Sequence, residues 1–503
     1  MAKVIMVQGT MSNAGKSLLV AGLCRVFKQD GYSVAPFKSQ NMALNSFITE
    51  DGLEMGRAQV MQAEAAGIKP SVQMNPILLK PTTEHKSQVI VNGEIYNTMG
   101  GRDYFVHKKN LLGLIKEAYD SLAEKYDIIV IEGAGSPVEM NLKANDIVNM
   151  GMAKLVNAPV LLAGDIERGG VFAQLVGTME LFDPDERDMV KGLIINKFRG
   201  NMDNFGEGKD FLKEKTGVPV LGLIPYMDVA IEDEDSLAVR SGKKGQVSQI
   251  DIAVIKIPHI SNFTDFNALE IMDNVSLRYV ENVSELKNPD MILLPGSKNT
   301  MGDLLWMRQN GLEASILKQA AKGKTVFGIC GGYQMLGETI ADPEETEQGG
   351  TIKGMGLLPV DTVFKGEKTR TRVTGTFRKV NGDLNRLSEA ALEGYEIHMG
   401  ESTLKGGAEP LTVIKDEITG IEKTEGAQKD NVYGTYVHGV FDGDNIGGLV
   451  IQSVAAKKGL DLTDIETINY EEFKEQQYDK LAEGIRANLD MKRVYEILEE
   501  GIK

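Results

Sequence analysis

The segment VFGICGGYQMLG, residues 326–337, decides the fold of the second half of the chain. Its apolar start predicts a strand, its glycines a tight turn around Cys330, and its end a helix. This order fits a nucleophile elbow in which cysteine takes the position of serine. Backbone N–H groups at such a turn can hold an oxyanion, and the helix N-terminus favours a thiolate. A buried core cysteine is the simpler alternative, but the elbow context favours a nucleophile.

A cysteine nucleophile needs a histidine partner, and the chain has five histidines. His438, in YGTYVHGVF, ends a short β-like run and is the better candidate for the base. His398, in GYEIHMG, is its rival. Position 440 is Val440, so an acid two positions after His438 is missing. The group that orients the imidazole therefore stays open.

A Pro-Gly turn, PGSKNT, follows the buried strand predicted at residues 291–294. Its free N–H groups, at Gly296 and Ser297, could form half of an oxyanion hole. A plain turn explains the same residues equally well.

A glycine loop, GTMSNAGKS at residues 9–17, lies between a short apolar strand and a helical run. Strand, loop and helix together form a phosphate loop in which Lys16 reaches the outer phosphates and Ser17 contacts Mg²⁺. The pattern departs from the usual spacing, because Gly9 lies one residue further out than expected. The other ATP contacts expected in the loop are Thr10, Asn13, Ala14 and Gly15. The alternative is an ordinary glycine turn.

Polar residues follow the predicted strands of the same region. The buried run YDIIVIE ends in Glu132, which suits a Mg²⁺ ligand near the phosphate loop, and Asp51 is a second candidate ligand. The segment KSQNMALNS offers Lys38, expected to contact ATP, and three amides at the ligand-binding end of a strand. These amides, which a turn would explain equally well, are Gln40, Asn41 and Asn45. Asp146, in NLKANDIVNM, is a further candidate for the substrate side.

Strands alternating with helical stretches predict an α/β protein built on doubly wound parallel sheets. The predicted divisions are a phosphate-loop domain at 1–230, a linker at 231–249, a second α/β domain at 250–445 and a helical extension at 446–503.

Composition narrows the class of protein. The 503 residues carry a net charge of −17, which argues against nucleic-acid binding. The two cysteines suit a reducing cytosol. We expect no signal peptide, no membrane span and a cytoplasmic enzyme. The sequence carries no signal for an oligomeric state.

An ATP site and a Cys–His site in one chain predict a glutamine-dependent amide ligase. ATP can activate a carboxylate as an acyl phosphate, and a thiolate can release ammonia from glutamine. A regulatory ATPase with a degenerate second domain is the alternative, and the intact pair of Cys330 and His438 disfavours it.

Motifs along nearly the whole chain resemble one family. VFGICGGYQMLG and YVHGVF resemble the class I glutamine amidotransferase domain, with its flavodoxin-like α/β fold, of the cobyric acid synthase and cobyrinate diamide synthase group. Six further motifs resemble the cobyric acid synthase family in particular: QGTMSNAGKS, KSQNMALNS, IEGAGSPVE, NLKANDIVNM, ISNFTDFN and GYEIHMGES. The first domain is also similar to dethiobiotin synthetase, whose phosphate loop has the spacing of Gly9 to Gly15.

The resemblance implies amidation of the b, d, e and g carboxylates of adenosylcobyrinic acid a,c-diamide, a corrinoid, with one ATP and one L-glutamine per step. Cys330 is then the glutaminase nucleophile and His438 its base. ATP and Mg²⁺ are substrates, and no tightly bound cofactor is implied. Gln40, Asn41, Asn45 and Asp146 become candidates for the corrinoid side. The residues expected around glutamine and its oxyanion are Gly296, Ser297, Gly331, Tyr395 and His398. The related a,c-diamide synthase remains the nearest rival.

Overall fold

The computed structural model describes residues 2–83, 86–231, 248–443, 445–460 and 469–502. The chain forms two compact units, the first made of Met1–Ala43, Met55–Ser236 and Lys474–Lys503, the second of Leu44–Glu54 and Leu237–Phe473. The predicted boundaries differ in two places, since residues 44–54 belong to the second unit and the C-terminal residues to the first. Of the predicted linker, residues 232–247 lie outside the described ranges.

The first unit is built on a six-stranded parallel sheet. In spatial order its strands are Val220–Pro225, Val190–Phe198, Val160–Asp165, Lys3–Gly9, Ile128–Glu132 and Val34–Phe37. These strands are almost wholly apolar because both faces of the sheet are covered by helices. The strand that feeds the phosphate loop lies in the middle of the sheet, between the strand ending at Glu132 and the strand ending at Asp165.

The helices of the first unit follow the strands along the chain. Their bounds are Lys16–Gln29, Arg57–Ala66, Gly101–His107, Leu112–Ala123, Met150–Val156, Val171–Leu181, Pro184–Met189, Gly206–Thr216, Tyr470–Asn488 and Met491–Glu500. Short 3₁₀ turns occupy Val72–Met74, Lys108–Leu111, Lys143–Asn145 and Met202–Phe205. A smaller four-stranded sheet joins Gln40–Met42, Ile77–Thr83, Lys86–Val91 and Glu94–Gly100.

The C-terminal helices complete the core of the first unit instead of forming a separate extension. Val494, Ile497 and Leu498 recur at the spacing of one helix face and are buried against the central sheet. Ile485 and Leu489 join the same apolar cluster from the preceding helix.

The second unit contains a sheet with the strand order of flavodoxin-like folds. Its strands are, in spatial order, Val275–Val280, Ile250–Ile255, Met291–Leu294, Thr325–Ile329 and Val432–Thr435, followed by the antiparallel edge strand Ala427–Lys429. The first five are parallel. Both units therefore confirm the predicted α/β class.

A second, seven-stranded sheet in this unit was not predicted. It consists of Gly350–Lys353, Thr339–Asp342, Val360–Phe377, Ala391–Leu404, Val437–His438, Thr412–Asp416 and Glu422–Glu425. Two-stranded pairs join Ile260–Ser261 to Gly296–Ser297 and Ser46–Ile48 to Glu54–Gly56. The helices are Asn267–Glu270, Val283–Leu286, Thr300–Gln309, Leu312–Ala321, Gly331–Leu336 and Ile446–Lys457, with 3₁₀ turns at Phe263–Phe266 and Gly382–Leu387. Within the described ranges, no helix combines the length and apolar character that a membrane crossing requires.

Candidate active sites

The phosphate loop lies between the central strand Lys3–Gly9 and the helix Lys16–Gln29. Gly15 has a φ of +85°, in the left-handed region that favours glycine. A Cβ at Gly15 would lie 2.2 Å from Nδ2 of Asn196, whose amide donates to the Ala14 carbonyl at 2.8 Å. Lys197 donates to the Asn13 carbonyl at 2.5 Å. The loop therefore needs glycine at position 15, and the strand ending at Phe198 holds its shape.

Two side-chain donors, one from the loop and one from the end of the strand Val34–Phe37, converge on Glu132. Ser17 Oγ donates to Glu132 Oε1 at 2.9 Å, and Lys38 Nζ donates to the same oxygen at 2.9 Å. Burial raises the pKa of Glu132, but Lys38, Gln62 and Lys16 outweigh it, so the net pKa lies below the ordinary value. Glu132 is thus a buried carboxylate held in its ionised form.

Lys16 turns back onto the loop. Its Nζ donates to the carbonyls of Met11 at 3.1 Å and Gly135 at 3.2 Å. Both acceptors line a cavity of about 590 Å³ that also contains Ser17 and Glu132. The lysine ammonium is therefore placed at the wall of a cavity large enough for a nucleotide.

Most of the predicted residues of the first unit line this cavity. They are Thr10, Asn13, Gly15, Lys16, Ser17, Lys38, Gln40, Asn41, Glu132 and Asp146. Ala14 is buried behind them in the loop. Tyr104 donates its hydroxyl proton to Gln40 Oε1 at 2.5 Å, which fixes the amide of Gln40.

Asp146 has a structural role in addition to its place in the cavity wall. Its carboxylate accepts hydrogen bonds from the backbone N–H groups of Val148 at 2.8 Å, Asn149 at 3.0 Å and Gly151 at 2.8 Å. These bonds hold the turn that leads into the helix Met150–Val156. The Asp146 carboxylate is therefore already hydrogen-bonded to the backbone of this turn.

Two residues that were predicted to act beside the phosphate loop belong to the second unit. Asn45 and Asp51 belong to the second unit, because the chain leaves the first unit after Ala43 and returns at Met55. Asn45 is buried and Asp51 is exposed on the turn where Gly52 N donates to the Thr49 carbonyl. The roles of Asp51 as a metal ligand and of Asn45 on the corrinoid side stay predictions.

The donors around Ser17 fit a Mg²⁺ ion that arrives with a nucleotide. A hydroxyl and a carboxylate in contact are the protein ligands that phosphate-loop sites provide. In the described part of the chain, no group of three or more His, Cys, Asp or Glu side chains is arranged to hold a metal ion. Ser17 and Glu132 would thus share the ion with phosphate oxygens.

Cys330 in the second unit has the backbone conformation of a nucleophile elbow. It lies between the strand Thr325–Ile329 and the helix Gly331–Leu336, with φ 51° and ψ −109°. A non-glycine residue with positive φ is uncommon and marks a strained turn. A Cβ at Gly332 would lie 2.1 Å from the Leu294 carbonyl oxygen, so strand and helix pack closely only with glycine there.

The predicted oxyanion residues meet beside Cys330. A Cβ at Gly331 would lie 2.8 Å from the backbone nitrogen of Ser297, which shows that the two backbones adjoin. Gly296 approaches His438 equally closely, since a Cβ there would lie 3.1 Å from Cε1 of the imidazole. The turn after Met291–Leu294 is therefore part of the site and not a remote turn. That its N–H groups hold an oxyanion stays a prediction.

His438, and not His398, faces the nucleophile. Its imidazole interacts with the Cys330 side chain, and both residues are buried. Nδ1 of His438 lies 2.8 Å from Oδ2 of Asp265, and Oδ1 of Asp265 accepts the Gly439 N–H at 2.9 Å. Asp265 thus fills the orienting position that the sequence left open. It comes from the turn Phe263–Phe266, within the motif ISNFTDFN.

The charge of Asp265 changes the protonation of His438. Burial lowers the pKa of the imidazole, but the Asp265 carboxylate and the Cys330 side chain raise it to about 10. At neutral pH His438 is therefore an imidazolium. An imidazolium beside a sulfur atom stabilises the thiolate, which is the reactive form of cysteine.

Tyr395 supports His438. Its ring stacks on the imidazole with centroids 5.4 Å apart, and its hydroxyl donates to the Ser46 carbonyl at 3.2 Å and accepts from Asn262 Nδ2 at 2.9 Å. Only 4% of the Tyr395 surface is exposed. The structure thus stacks Tyr395 against the imidazole, and a contact of Tyr395 with glutamine stays a prediction.

His398 lines a separate cavity of about 470 Å³ with Glu396, Glu425 and Tyr436. Its ring stacks on Tyr436 at 3.7 Å, and Nδ1 lies 2.7 Å from the Gly400 carbonyl. Tyr436 accepts from Gln334 Nε2 at 3.1 Å, which ties this cavity to the helix that follows Cys330. A glutamine-binding role for His398 stays a prediction.

Comparisons with protein families and with known proteins cover both halves of the chain. Residues 5–237 match the CobQ/CobB/MinD/ParA nucleotide binding domain, and residues 251–446 match the CobB/CobQ-like glutamine amidotransferase domain. The chain is 61% identical to a cobyric acid synthase of Ruminiclostridium cellulolyticum, over 100% of this chain and 98% of that protein. It is 56% identical to a cobyric acid synthase of Lachnoclostridium phytofermentans, over the full length of both. The chain therefore belongs to the cobyric acid synthase family of glutamine-dependent amide ligases.

Proposed function

We propose that this protein amidates the b, d, e and g carboxylates of adenosylcobyrinic acid a,c-diamide, using ATP and L-glutamine. The proposal is carried by one observation: a glutaminase triad and a nucleotide cavity with a paired carboxylate occur in a single chain of this family. The reaction would take place in a reducing cytosol, which suits the two free cysteines.

In the glutaminase half, the Cys330 thiolate attacks the side-chain carbonyl carbon of glutamine. The oxyanion that forms is held by N–H groups of Gly331 and of the Gly296–Ser297 turn. His438 gives its proton to the departing nitrogen, so that the C–N bond breaks and ammonia leaves. Neutral His438 then takes a proton from water, the hydroxide attacks the thioester carbonyl, and the C–S bond breaks, which releases glutamate and a proton and restores the Cys330 thiolate beside the His438 imidazolium. Asp265 keeps the Nδ1 proton in place and stabilises the imidazolium in each cycle.

In the synthetase half, an oxygen of the substrate carboxylate bonds to the γ-phosphorus of ATP, and the bond to the ADP oxygen breaks. Lys16 and the loop N–H groups stabilise the charge that develops on the transferred phosphoryl group. Ammonia then attacks the acyl carbon, inorganic phosphate leaves, and a proton is released. Mg²⁺, when bound at Ser17 and Glu132, supplies charge neutralisation to the phosphates.

Mass spectrometry of the products from adenosylcobyrinic acid a,c-diamide, ATP, Mg²⁺ and glutamine tests the proposal. Four successive amidations, each lowering the mass by about one unit as a hydroxyl is replaced by an amino group, are expected. A protein that leaves this corrinoid unchanged but adds two amides to cobyrinic acid is an a,c-diamide synthase. Hydrolysis of ATP without amide formation from either corrinoid would contradict both assignments.

A further inference from the structure

Lys108 is a buried cation in the wall of the nucleotide cavity that the reaction described above does not use. It begins the 3₁₀ turn Lys108–Leu111 and is 9% exposed. Among the residues that the structure describes, its ammonium makes no hydrogen bond and no ion pair, and it lies 4.7 Å over the ring of Phe105. Within the described part of the chain, the ammonium of this largely buried side chain lies at the cavity without the ion-pair partner that a charge removed from water normally has.

The segment around Lys108 is held in place by bonds to the cavity wall. The Phe105 carbonyl accepts from Asn145 Nδ2 at 3.3 Å, and Tyr104 is bonded to Gln40. The Asp146 carboxylate acts electrostatically on Lys108, but its oxygens accept backbone N–H groups. Burial lowers the pKa of Lys108, and Asp146 offsets only part of this effect. An anionic ligand would remove the cost that burial imposes on the ammonium.

Two anions enter this cavity in the proposed reaction, the ATP phosphates and the carboxylate to be amidated. The phosphate loop already supplies Lys16, and Lys38 adjoins it through Glu132. Lys108 comes from a different element, the 3₁₀ turn Lys108–Leu111. The same cavity is also lined by two exposed apolar side chains, Met42 and Leu142, with 59% and 44% of their surfaces exposed. A corrinoid ring edge, rich in methyl groups, suits such a surface.

We propose that Lys108 binds the substrate carboxylate that is about to be amidated, while Met42 and Leu142 contact the macrocycle. This assignment rests on the proposed function. A lysine ammonium is a point charge on a flexible stem and does not demand the fixed geometry of an arginine fork. It can therefore recognise a carboxylate irrespective of its position on the ring, which four different sites in one substrate require.

Corrinoid binding tests this assignment directly. The visible absorbance of the corrinoid allows its binding to the full chain to be measured by equilibrium dialysis without ATP. The probes are adenosylcobyrinic acid a,c-diamide, which carries the four carboxylates, and adenosylcobyric acid, in which they are amides. The variants are Lys108→Met and Lys108→Arg, with Lys109→Met as the matched control, because Lys109 is exposed one residue further along.

Lys108→Met should weaken binding of the carboxylate form about ten- to a hundredfold, the value of one charge-assisted hydrogen bond. Binding of the amide form should change far less, so the preference for carboxylates is lost. Lys108→Arg should retain part of this preference, and Lys109→Met all of it. Unchanged glutaminase turnover and unchanged ATP affinity in Lys108→Met would show that the variant is folded and that ATP is not the ligand.

Two results would overturn the role of Lys108 and leave the proposed function intact. One is a loss of ATP affinity in Lys108→Met with unchanged corrinoid binding, which would make Lys108 a phosphate contact. The other is an equal loss of affinity for both corrinoids. If the unsubstituted protein neither binds nor amidates the diamide, the proposed function fails, and the role of Lys108 with it.

Discussion

The substitution Asp265→Asn tests the triad most directly, because it removes a charge and leaves the size of the side chain nearly unchanged. Asp265 makes two contacts, one with Nδ1 of His438 at 2.8 Å and one with the Gly439 N–H at 2.9 Å. The asparagine oxygen can still accept one of these protons. Its amide N–H₂ group then faces the second of the two N–H groups, and two donors cannot form a hydrogen bond with each other.

The size of the effect follows from these two contacts. A hydrogen bond between a carboxylate and an imidazolium contributes about 1.5–3 kcal/mol, which is about ten- to a hundredfold in the population of the ion pair. If the asparagine amide donates to Nδ1, the neutral imidazole carries its proton on Nε2 and cannot accept the thiol proton. A wrong tautomer costs a serine-protease triad about 10⁴-fold. We therefore expect the glutaminase kcat to fall by about 10² to 10⁴.

The pH profile distinguishes this role from a merely structural one. Asp265 contributes to raising the pKa of His438 to about 10, and its removal must lower that pKa. The imidazolium is then lost at a lower pH. The alkaline limb of glutaminase kcat/KM should accordingly move to lower pH in the variant, and a loss of folded protein alone would leave it in place.

Glutamate release, coupled to an indicator enzyme, measures the glutaminase rate between pH 6 and 10. Asp342→Asn is the matched control, since Asp342 is also fully buried and accepts backbone N–H groups from Thr346, Glu347 and Gly349. The control should lose stability but keep its pH profile. An Asp265→Asn protein that is folded and retains kcat and the alkaline limb would refute the triad.

Two further substitutions separate the two sites, and a third tests the pH dependence of stability. Cys330→Ala should lower glutamine-dependent amidation about 10⁴-fold or more and spare synthesis with added ammonia; loss of both in a folded protein would argue against independent sites. Lys16→Ala should lower amidation by at least about 10²-fold with glutaminase turnover retained, and normal amide formation would exclude the phosphate-loop role. Burial and the nearby Glu396 raise the pKa of Glu425 from its ordinary 4.5 to about 7. The folded state then binds the proton more tightly, and the free energy of unfolding falls by about 3 kcal/mol as the pH rises through this interval. Glu425→Gln should lack this decrease in urea titrations at pH 5 and pH 8, and an equal decrease in both proteins would contradict it.

The sequence alone was sufficient to predict the features that depend on consecutive residues. The phosphate loop and the Cys330 elbow are each a strand, a glycine turn and a helix within about twenty residues, and the chain folds there as the pattern predicts. His438 was found because few histidines compete with it. The α/β class followed from the alternation of strands with helical stretches.

Contacts between distant residues were not accessible in the same way. Asp265 precedes His438 by 173 positions, and nothing in FTDFN marks an acid that orients a histidine. The expected position, two residues after the histidine, holds Val440. The one available signal was that Asp265 lies in ISNFTDFN, a motif that resembles the family. Lys108 was missed for a similar reason, because KK in a polar stretch looks like a solvated surface.

The segment Leu44–Glu54, which carries Asn45 and Asp51, has a place in the fold that its sequence does not indicate. The chain leaves the first unit after Ala43 and returns to it at Met55, so these residues form part of the second unit. Ser46 accepts the Tyr395 hydroxyl behind His438, and Glu54 forms an ion pair with Lys368 at 2.6 Å in which both side chains are buried. Removing one member of such a buried pair is destabilising. A cut in the 231–249 region therefore does not separate the two activities cleanly. The C-terminal fragment would lose the support of Tyr395 and leave Lys368 buried without Glu54, although it would contain Cys330, His438 and Asp265.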